Sequence, residues 1–316
     1  MAKEHLVIAT RGSALALAQA NLVLAACRSA LPDTEFELRI IKTTGDKLQA
    51  ESSAEVDLPK GLFTKELEVA LLKGEADLAV HSLKDLPTEL PEGLSLGAIT
   101  EREDVRDVFI YRSADGLKLQ GLADLRKGFV VATSSPRRQS QVQFRNPGVQ
   151  AVPIRGNVPT RLQKLATQRD IGGLILAAAG LKRLGYAFGA DGELAGRDVP
   201  AGLSSFVVPL EDILPCVGQG ALGLEVRAGD ARTAPVCRAL NHPETECCAL
   251  AERAFLRAMG GGCQTPVAAL AELAGGNIRL RAVSFEFEQP THADLRGARS
   301  DFDRLGAEAA GLLKRR

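Results

Sequence analysis

Short β-rich runs alternate along this chain with stretches whose apolar residues recur every three or four positions, the pattern of α/β architecture. The alternation predicts strands over 6–10, 36–42, 77–81, 95–99, 107–111, 129–133, 150–154 and 173–178, and helices over 13–30, 62–73, 136–145, 158–168 and 181–185. In the second of these helices Leu62, Phe63, Leu67, Ala70 and Leu71 share one face, so it reads as scaffold. The segment 46–59 is polar and weakly periodic and reads as a mobile surface loop beside a cleft. Beyond Gly220 the pattern changes to a strand over 221–226, a helix over 244–258, a long strand over 277–287 and a last helix over 301–314. The expected architecture is two α/β domains followed by a smaller α+β domain. The charged run 101–107 marks the crossing into the second domain and the Gly- and Asp-rich run 189–202 the return. The boundaries are then 1–104 with 203–221, 105–202, and 222–316.

At 316 residues the chain has room for several cores. Its 39 basic and 39 acidic residues cancel, so no overall field recruits nucleic acid or an anionic membrane, and any anion site must be local. Aromatic residues make up 4% and tryptophan is absent, which leaves little for base stacking. The four histidines include no H-E-x-x-H arrangement, and no metal is expected. No G-x-G-x-x-G follows a predicted strand, and there is no Walker lysine loop. Six cysteines, Cys27, Cys216, Cys237, Cys247, Cys248 and Cys263, form no C-x-x-C pair and read as reduced thiols. Without an apolar leader in the first ten residues, and without a run of about 20 apolar residues, a soluble cytoplasmic protein is expected.

Cys263 follows three glycines and precedes Gln264, Thr265 and Pro266. Three positions without side chains weaken helix and strand alike and let another group approach the backbone, so the thiol reads either as a nucleophile carrying a covalent group or as a small buried residue beside a helix end. Thr133-Ser134-Ser135-Pro136-Arg137-Arg138 leaves a strand and opens a helix, with Ser135 suited to the N-cap and Pro136 to the first position. Arg155-Gly156-Asn157 leading to Arg161, and Thr10-Arg11-Gly12-Ser13, repeat that arrangement. Arginine at a helix start opposes the macrodipole unless an anion or another compensating group is present. Three such junctions at the carboxyl ends of strands point to a ligand with several carboxylates or phosphates. His81-Ser82-Leu83-Lys84-Asp85-Leu86-Pro87 turns off another strand end and brings Lys84 and Asp85 to the same crevice, where Asp85 either offsets developing positive charge or caps the turn.

Several ordered motifs carry a resemblance to the hydroxymethylbilane synthase, or porphobilinogen deaminase, family. They include Ile8-Ala9-Thr10-Arg11, Lys60-Gly61-Leu62-Phe63, Ala79-Val80-His81-Ser82-Leu83-Lys84-Asp85, Arg137-Arg138-Gln139, Arg155-Gly156-Asn157-Val158, Ala179-Gly180-Leu181-Lys182-Arg183, Val217-Gly218-Gln219-Gly220 and Gly261-Gly262-Cys263-Gln264. The resemblance implies two α/β domains like periplasmic-binding-protein lobes and a third domain carrying the reactive cysteine. It implies a dipyrromethane cofactor in thioether linkage to Cys263, onto which four porphobilinogens are condensed with loss of ammonia. Through it Asp85 is the expected catalytic carboxylate. Lys84, Ser135, Arg137, Arg138 and Arg161 are expected to hold the cofactor, and Arg11, Ser13, Gln19, Arg155, Arg183 and Lys60 the substrate or growing chain. A monomer is expected, with porphobilinogen and the growing polypyrrole as its only partners. The chain departs from the family at Thr44 and Pro59, where Arg and Gly are common, and at Gly12 and Ala16. A two-lobed anion-binding module without catalysis is the competing reading.

Overall fold

Apolar runs too short for helices become central strands here, and the amphipathic stretches between them become the covering helices. The computed structural model describes residues 4–44, 64–113, 116–189, 192–261 and 265–314. The first lobe opens with β1 (Glu4–Arg11), α1 (Ala14–Ala30), β2 (Thr34–Ile41), α2 (Lys65–Leu72), β3 (Leu78–Ser82) and β4 (Leu94–Ile99). The second carries β5 (Asp107–Arg112), β6 (Val130–Ala132), α3 (Pro136–Arg145), β7 (Gln150–Val152), α4 (Val158–Thr167), β8 (Gly173–Ala177), α5 (Ala178–Arg183), the short β9 (Ala187–Phe188) and β10 (Leu194–Ala195), and β11 (Leu203–Val207). The chain returns through β12 (Leu222–Arg227) and α6 (Ala234–Leu240) and ends with α7 (Pro243–Met259), β13 (Val267–Ala274), β14 (Asn277–Ser284), β15 (Thr291–Gly297) and α8 (Phe302–Lys314).

The first sheet has the order β2-β1-β3-β12-β4, the second β11-β5-β8-β6-β7, and the last β13-β14-β15. β1 runs parallel to β2 and β3, whereas β12 is antiparallel to β3 and β4. Strands covered on both faces need no polar alternation. Accordingly α1 packs Val23 and Cys27 against Leu6, Ile8 and Phe36, while α2 packs Leu67 and Leu71 against Val7, Ala9 and Ala79 on the opposite face. In the third unit α7 and α8 cover the antiparallel sheet with Phe255, Leu305 and Leu313. Gly306 permits their close crossing, since a Cβ there would lie 2.5 Å from Ala251 O and Phe255 N.

Two segments pair elsewhere than the sequence pattern places them. Leu203–Val207, expected in the first domain, pairs antiparallel with β5 in the second sheet, where Phe206 stacks on Phe109 at 5.1 Å. Leu222–Arg227, expected to begin the third domain, sits between β3 and β4 in the first. A short apolar run fits any sheet, and the choice is made by long-range pairing that periodicity does not encode. The strands β13 and β15 and the helix α6 were not predicted, and the strand expected over 277–287 ends at Ser284. The loop expected over 46–59 lies outside the described residues.

The three units meet at one joint. Glu252 of α7 accepts both ends of the Arg102 guanidinium at 2.7 and 3.0 Å, and also Gly218 N at 2.7 Å and Ala271 N at 2.8 Å. Arg102 belongs to the crossing into the second lobe and Gly218 to the returning segment, so a single buried carboxylate ties both crossings to the third unit.

Candidate active site

β3 ends in a 3-10 turn, Leu83–Asp85. Leu83 is buried and donates its N–H to Ala221 O at 3.0 Å, Leu86 N closes the turn on Leu83 O at 3.2 Å, and Asp85 is left exposed. Gln19 of α1 donates to Ser82 Oγ at 2.7 Å. The returning segment lies directly against this turn. Gly218 has φ of +72°, a left-handed conformation that favours glycine, and a Cβ there would stand 3.2 Å from Lys84 N. Lys84 Nζ donates to Gln219 Oε1 at 3.4 Å.

Across the cleft, Ser135 is the N-cap of α3 and Pro136 opens the helix, as its fixed φ favours. The sequence pattern expects an anion at this helix start, and the carboxylate that meets both guanidinium groups is the chain's own Asp107, at the head of β5. Arg137 Nη2 donates to Asp107 Oδ2 at 2.8 Å, and Arg138 donates through Nη2 to Oδ1 at 2.7 Å and through Nε to Oδ2 at 3.1 Å. Gln219 Nε2 adds a bond to Asp107 Oδ1 at 2.9 Å, so Gln219 links Lys84 to the arginine pair. The other two junctions form conventional caps: Ser13 Oγ accepts from Ala16 N at 3.3 Å, and Asn157 Oδ1 from Thr160 N at 2.9 Å. Arg161 Nε donates to Gly156 O at 2.8 Å.

Positive charge is in surplus here. Burial alone would raise the Asp107 carboxyl, yet Arg137 and Arg138 hold it far below the usual carboxylate range. Burial pushes the half-buried Lys84 ammonium below the usual lysine range; Asp85 opposes that shift and Arg138 adds to it. Burial, with Arg138 and Arg155 adding, pushes Arg161 down to about 10. Among the described residues, the carboxylates that act on Lys84, Arg137 and Arg138 are Asp85 and Asp107. Arg137 Nε is also buried with no acceptor among the described residues. Such a site is stabilised by incoming carboxylates, each charged hydrogen bond contributing about 1.5–3 kcal/mol.

The cleft between the lobes is lined by Gln19, Ser82, Lys84, Arg183 and Gln219, with Arg183 Nη2 donating to Gly220 O at 2.7 Å. Burial lowers the Arg183 guanidinium from its ordinary value while Glu103 opposes that shift. Arg11 and Ser13 stand at the end of β1, Arg155 is exposed beyond β7, and Ser135 precedes the arginine pair. Because β1 and β3 are parallel, as are β6, β7 and β8, these groups gather at strand carboxyl ends. Cys263 and Lys60 lie outside the described residues. Asp107 reads in the sequence only as the end of a charged run and the head of a strand, and its arginine partners lie 30 and 31 residues away. A larger groove of about 600 Å³ opens between α3 and the third sheet beside Phe144, Phe285 and Arg281, and none of the expected site residues lines it.

Comparison with known proteins gives the family of the chain. Residues 6–235 match the family model described as porphobilinogen deaminase, dipyromethane cofactor binding domain, and residues 246–311 match porphobilinogen deaminase, C-terminal domain. The chain is 44% identical over 279 residues to the porphobilinogen deaminase of Syntrophomonas wolfei, covering 88% of this chain and 84% of that one. It is 43% identical over 315 residues to the porphobilinogen deaminase of Geotalea daltonii, covering 99% and 92%. Among solved structures it is similar to a Corynebacterium glutamicum OxyR C206 mutant, at 17% identity and a TM-score of 0.45 over 80% of this chain and 67% of the other.

Proposed function

The chain belongs to the porphobilinogen deaminase family, and from that membership we propose how its own residues carry the reaction. It is a transferase, a hydroxymethylbilane synthase: four porphobilinogens are condensed head to tail with loss of ammonia, and linear hydroxymethylbilane is released by hydrolysis. The family's dipyrromethane cofactor, when bound, supplies the pyrrole carbon to which the first porphobilinogen is joined. The residues present fit that polycarboxylate group, because the buried Arg137 Nε lacks an acceptor among the described residues and cations exceed carboxylates around it.

The cation surplus beside the exposed Asp85 is the observation that carries the assignment of roles. Arg137, Arg138, Arg161 and Lys84, with Ser135, hold cofactor carboxylates, and Cys263 is the point of thioether attachment. Arg11, Ser13, Gln19, Arg155, Arg183 and Lys60 receive the acetate and propionate groups of substrate and growing chain. The Asp85 carboxylate accepts a hydrogen bond from the pyrrole N–H of bound porphobilinogen and offsets the positive charge that develops as ammonia departs. The protein acts as a monomer in the cytoplasm; among the described residues no helix is long and apolar enough to cross a membrane.

Turnover of Asp85→Asn and Asp85→Glu, with covalent primer followed by intact mass, tests the reading. The Asn variant should keep the primer and lose on the order of 100-fold or more in turnover, and the Glu variant should keep part of it. Near-wild-type turnover in Asp85→Asn would remove Asp85 from the reaction.

A further inference from the structure

Asp85 is exposed at the end of its 3-10 turn, so the backbone of that turn sets where its carboxylate can stand. Buried polar groups that lie outside the cleft stand at both ends of that turn, one set on the strand before it and one on the backbone after it. Before the turn, His81 on β3 meets Glu225 on β12 at 2.9 Å between Nε2 and Oε2. The pair lies on the α2 side of the sheet, and Gly223, opposite His81, leaves its own side-chain space to Leu83 and Leu96. After the turn, Arg253 of α7 donates through Nη1 to Leu86 O at 3.1 Å and through Nη2 to Pro87 O at 2.6 Å. His81, Glu225 and Arg253 are all buried. Glu225 Oε1 has no partner among the described residues.

We infer that Arg253, together with the Glu225–His81 pair, positions Asp85: the third unit grips the end of the Lys84–Asp85 turn and β12 grips its beginning. The inference rests on the catalytic reading of Asp85. Nothing in the packing of α7 requires a buried guanidinium. Burial pushes Arg253 down to about 10, with Arg257 adding and Glu225 opposing, and an apolar residue would fill the same space without that cost. What the guanidinium adds is two directed bonds to consecutive carbonyls, a fork that fixes the orientation of the peptide planes as well as their distance. A lysine would reach one carbonyl as a point charge, and a methionine neither. The grip also makes the geometry of Asp85 depend on docking of the third unit, which carries Cys263. The turn is fully set only when the cysteine-bearing unit is seated.

The test compares Arg253→Met, Arg253→Lys and Glu225→Leu with wild type. It measures kcat per primed molecule, with the primed fraction taken from intact mass, along with KM and the urea midpoint. Arg253→Met should lower kcat per primed molecule on the order of 10- to 100-fold, the size expected of a small misplacement of a reacting group, with KM within about twofold. Arg253→Lys should recover part of that loss, and Glu225→Leu should show the same signature at smaller size. A purely structural role predicts a lower midpoint and primed fraction with wild-type kcat per primed molecule, and that result overturns the inference. If Arg253→Met does not fold, the Lys variant decides by the same ratio. Wild-type kcat per primed molecule in the Arg253 variants, beside an inactive Asp85→Asn, sinks the positioning role alone. Turnover retained in Asp85→Asn sinks the catalytic reading first.

Discussion

Asp107 and Glu225 are both fully buried carboxylates on sheet strands, at 1% and 0% exposure, and they are treated oppositely by their surroundings. Asp107 in the second lobe has both oxygens engaged by two guanidinium groups and an amide. Glu225 in the first has one oxygen on His81 and the other without a partner among the described residues. Burying a charge stabilises only when its remaining lone pairs are met. Asp107 therefore anchors cations that would otherwise repel one another, whereas Glu225 is a costly group retained beside the turn of Asp85. The lesson is that burial alone does not tell a brace from a functional strain, and the satisfaction of each oxygen does.

The largest effect should follow Asp107→Asn, which leaves Arg137 and Arg138 buried against a neutral amide. We expect a loss of about 3–5 kcal/mol in urea unfolding at pH 7 and a fall in primed fraction. The acid limb sharpens the point. A carboxyl held below its ordinary value contributes stability that is present above the unfolded pKa, about 3.9, and is lost as pH falls toward the folded value. Wild type should therefore lose midpoint steadily below about pH 5, and Asp107→Asn should lose less over the same interval. Equal slopes would break the contrast.

Glu225→Gln should cost less, about 1–3 kcal/mol, since the amide oxygen still serves His81 while its N–H group is buried without an acceptor. A loss as large as that of Asp107→Asn would mean that Glu225 is as well satisfied as its counterpart. The smallest effect concerns Glu68, whose carboxyl is raised chiefly by burial and further by Glu225, against a hydrogen bond from Thr64. A raised carboxyl has its full stability below the unfolded pKa and loses it as pH rises through the folded value. Glu68→Gln should accordingly raise the urea midpoint at pH 8 and leave it unchanged at pH 4. A lowered midpoint at pH 8 would count against a burial penalty at this cluster.

The sequence pattern located β1, β3, α1 and α4 within a few residues because each carries regularly spaced apolar positions, the helices with caps at Ser13 and Asn157, and it located the polar α3 by Ser135 and Pro136 at its start. It also marked Lys84, Asp85, Arg137, Arg138 and Arg161 as neighbours, since strand-to-helix junctions gather at one edge of an α/β sheet. Long-range pairing was not legible. Nothing local in Leu203–Val207 or Leu222–Arg227 distinguishes one sheet from another, and nothing near Asp107 announces arginines 30 and 31 residues away. Arg253 reads as one charge on an amphipathic helix until α7 is docked on the turn after Asp85.

The insertion of β12 between β3 and β4 has a consequence for synthesis on the ribosome. His81 and Glu225 are 144 residues apart in the chain, and the first lobe cannot close its sheet until the later partner has left the exit tunnel. The second lobe, built wholly between β5 and β11, is complete earlier although it begins later. At roughly 5–20 residues per second the nascent first lobe spends several seconds with β3 and β4 presenting unpaired edges. That interval is when the chain is most open to self-association, so the first-made part of this protein is the one that depends most on being shielded while it waits.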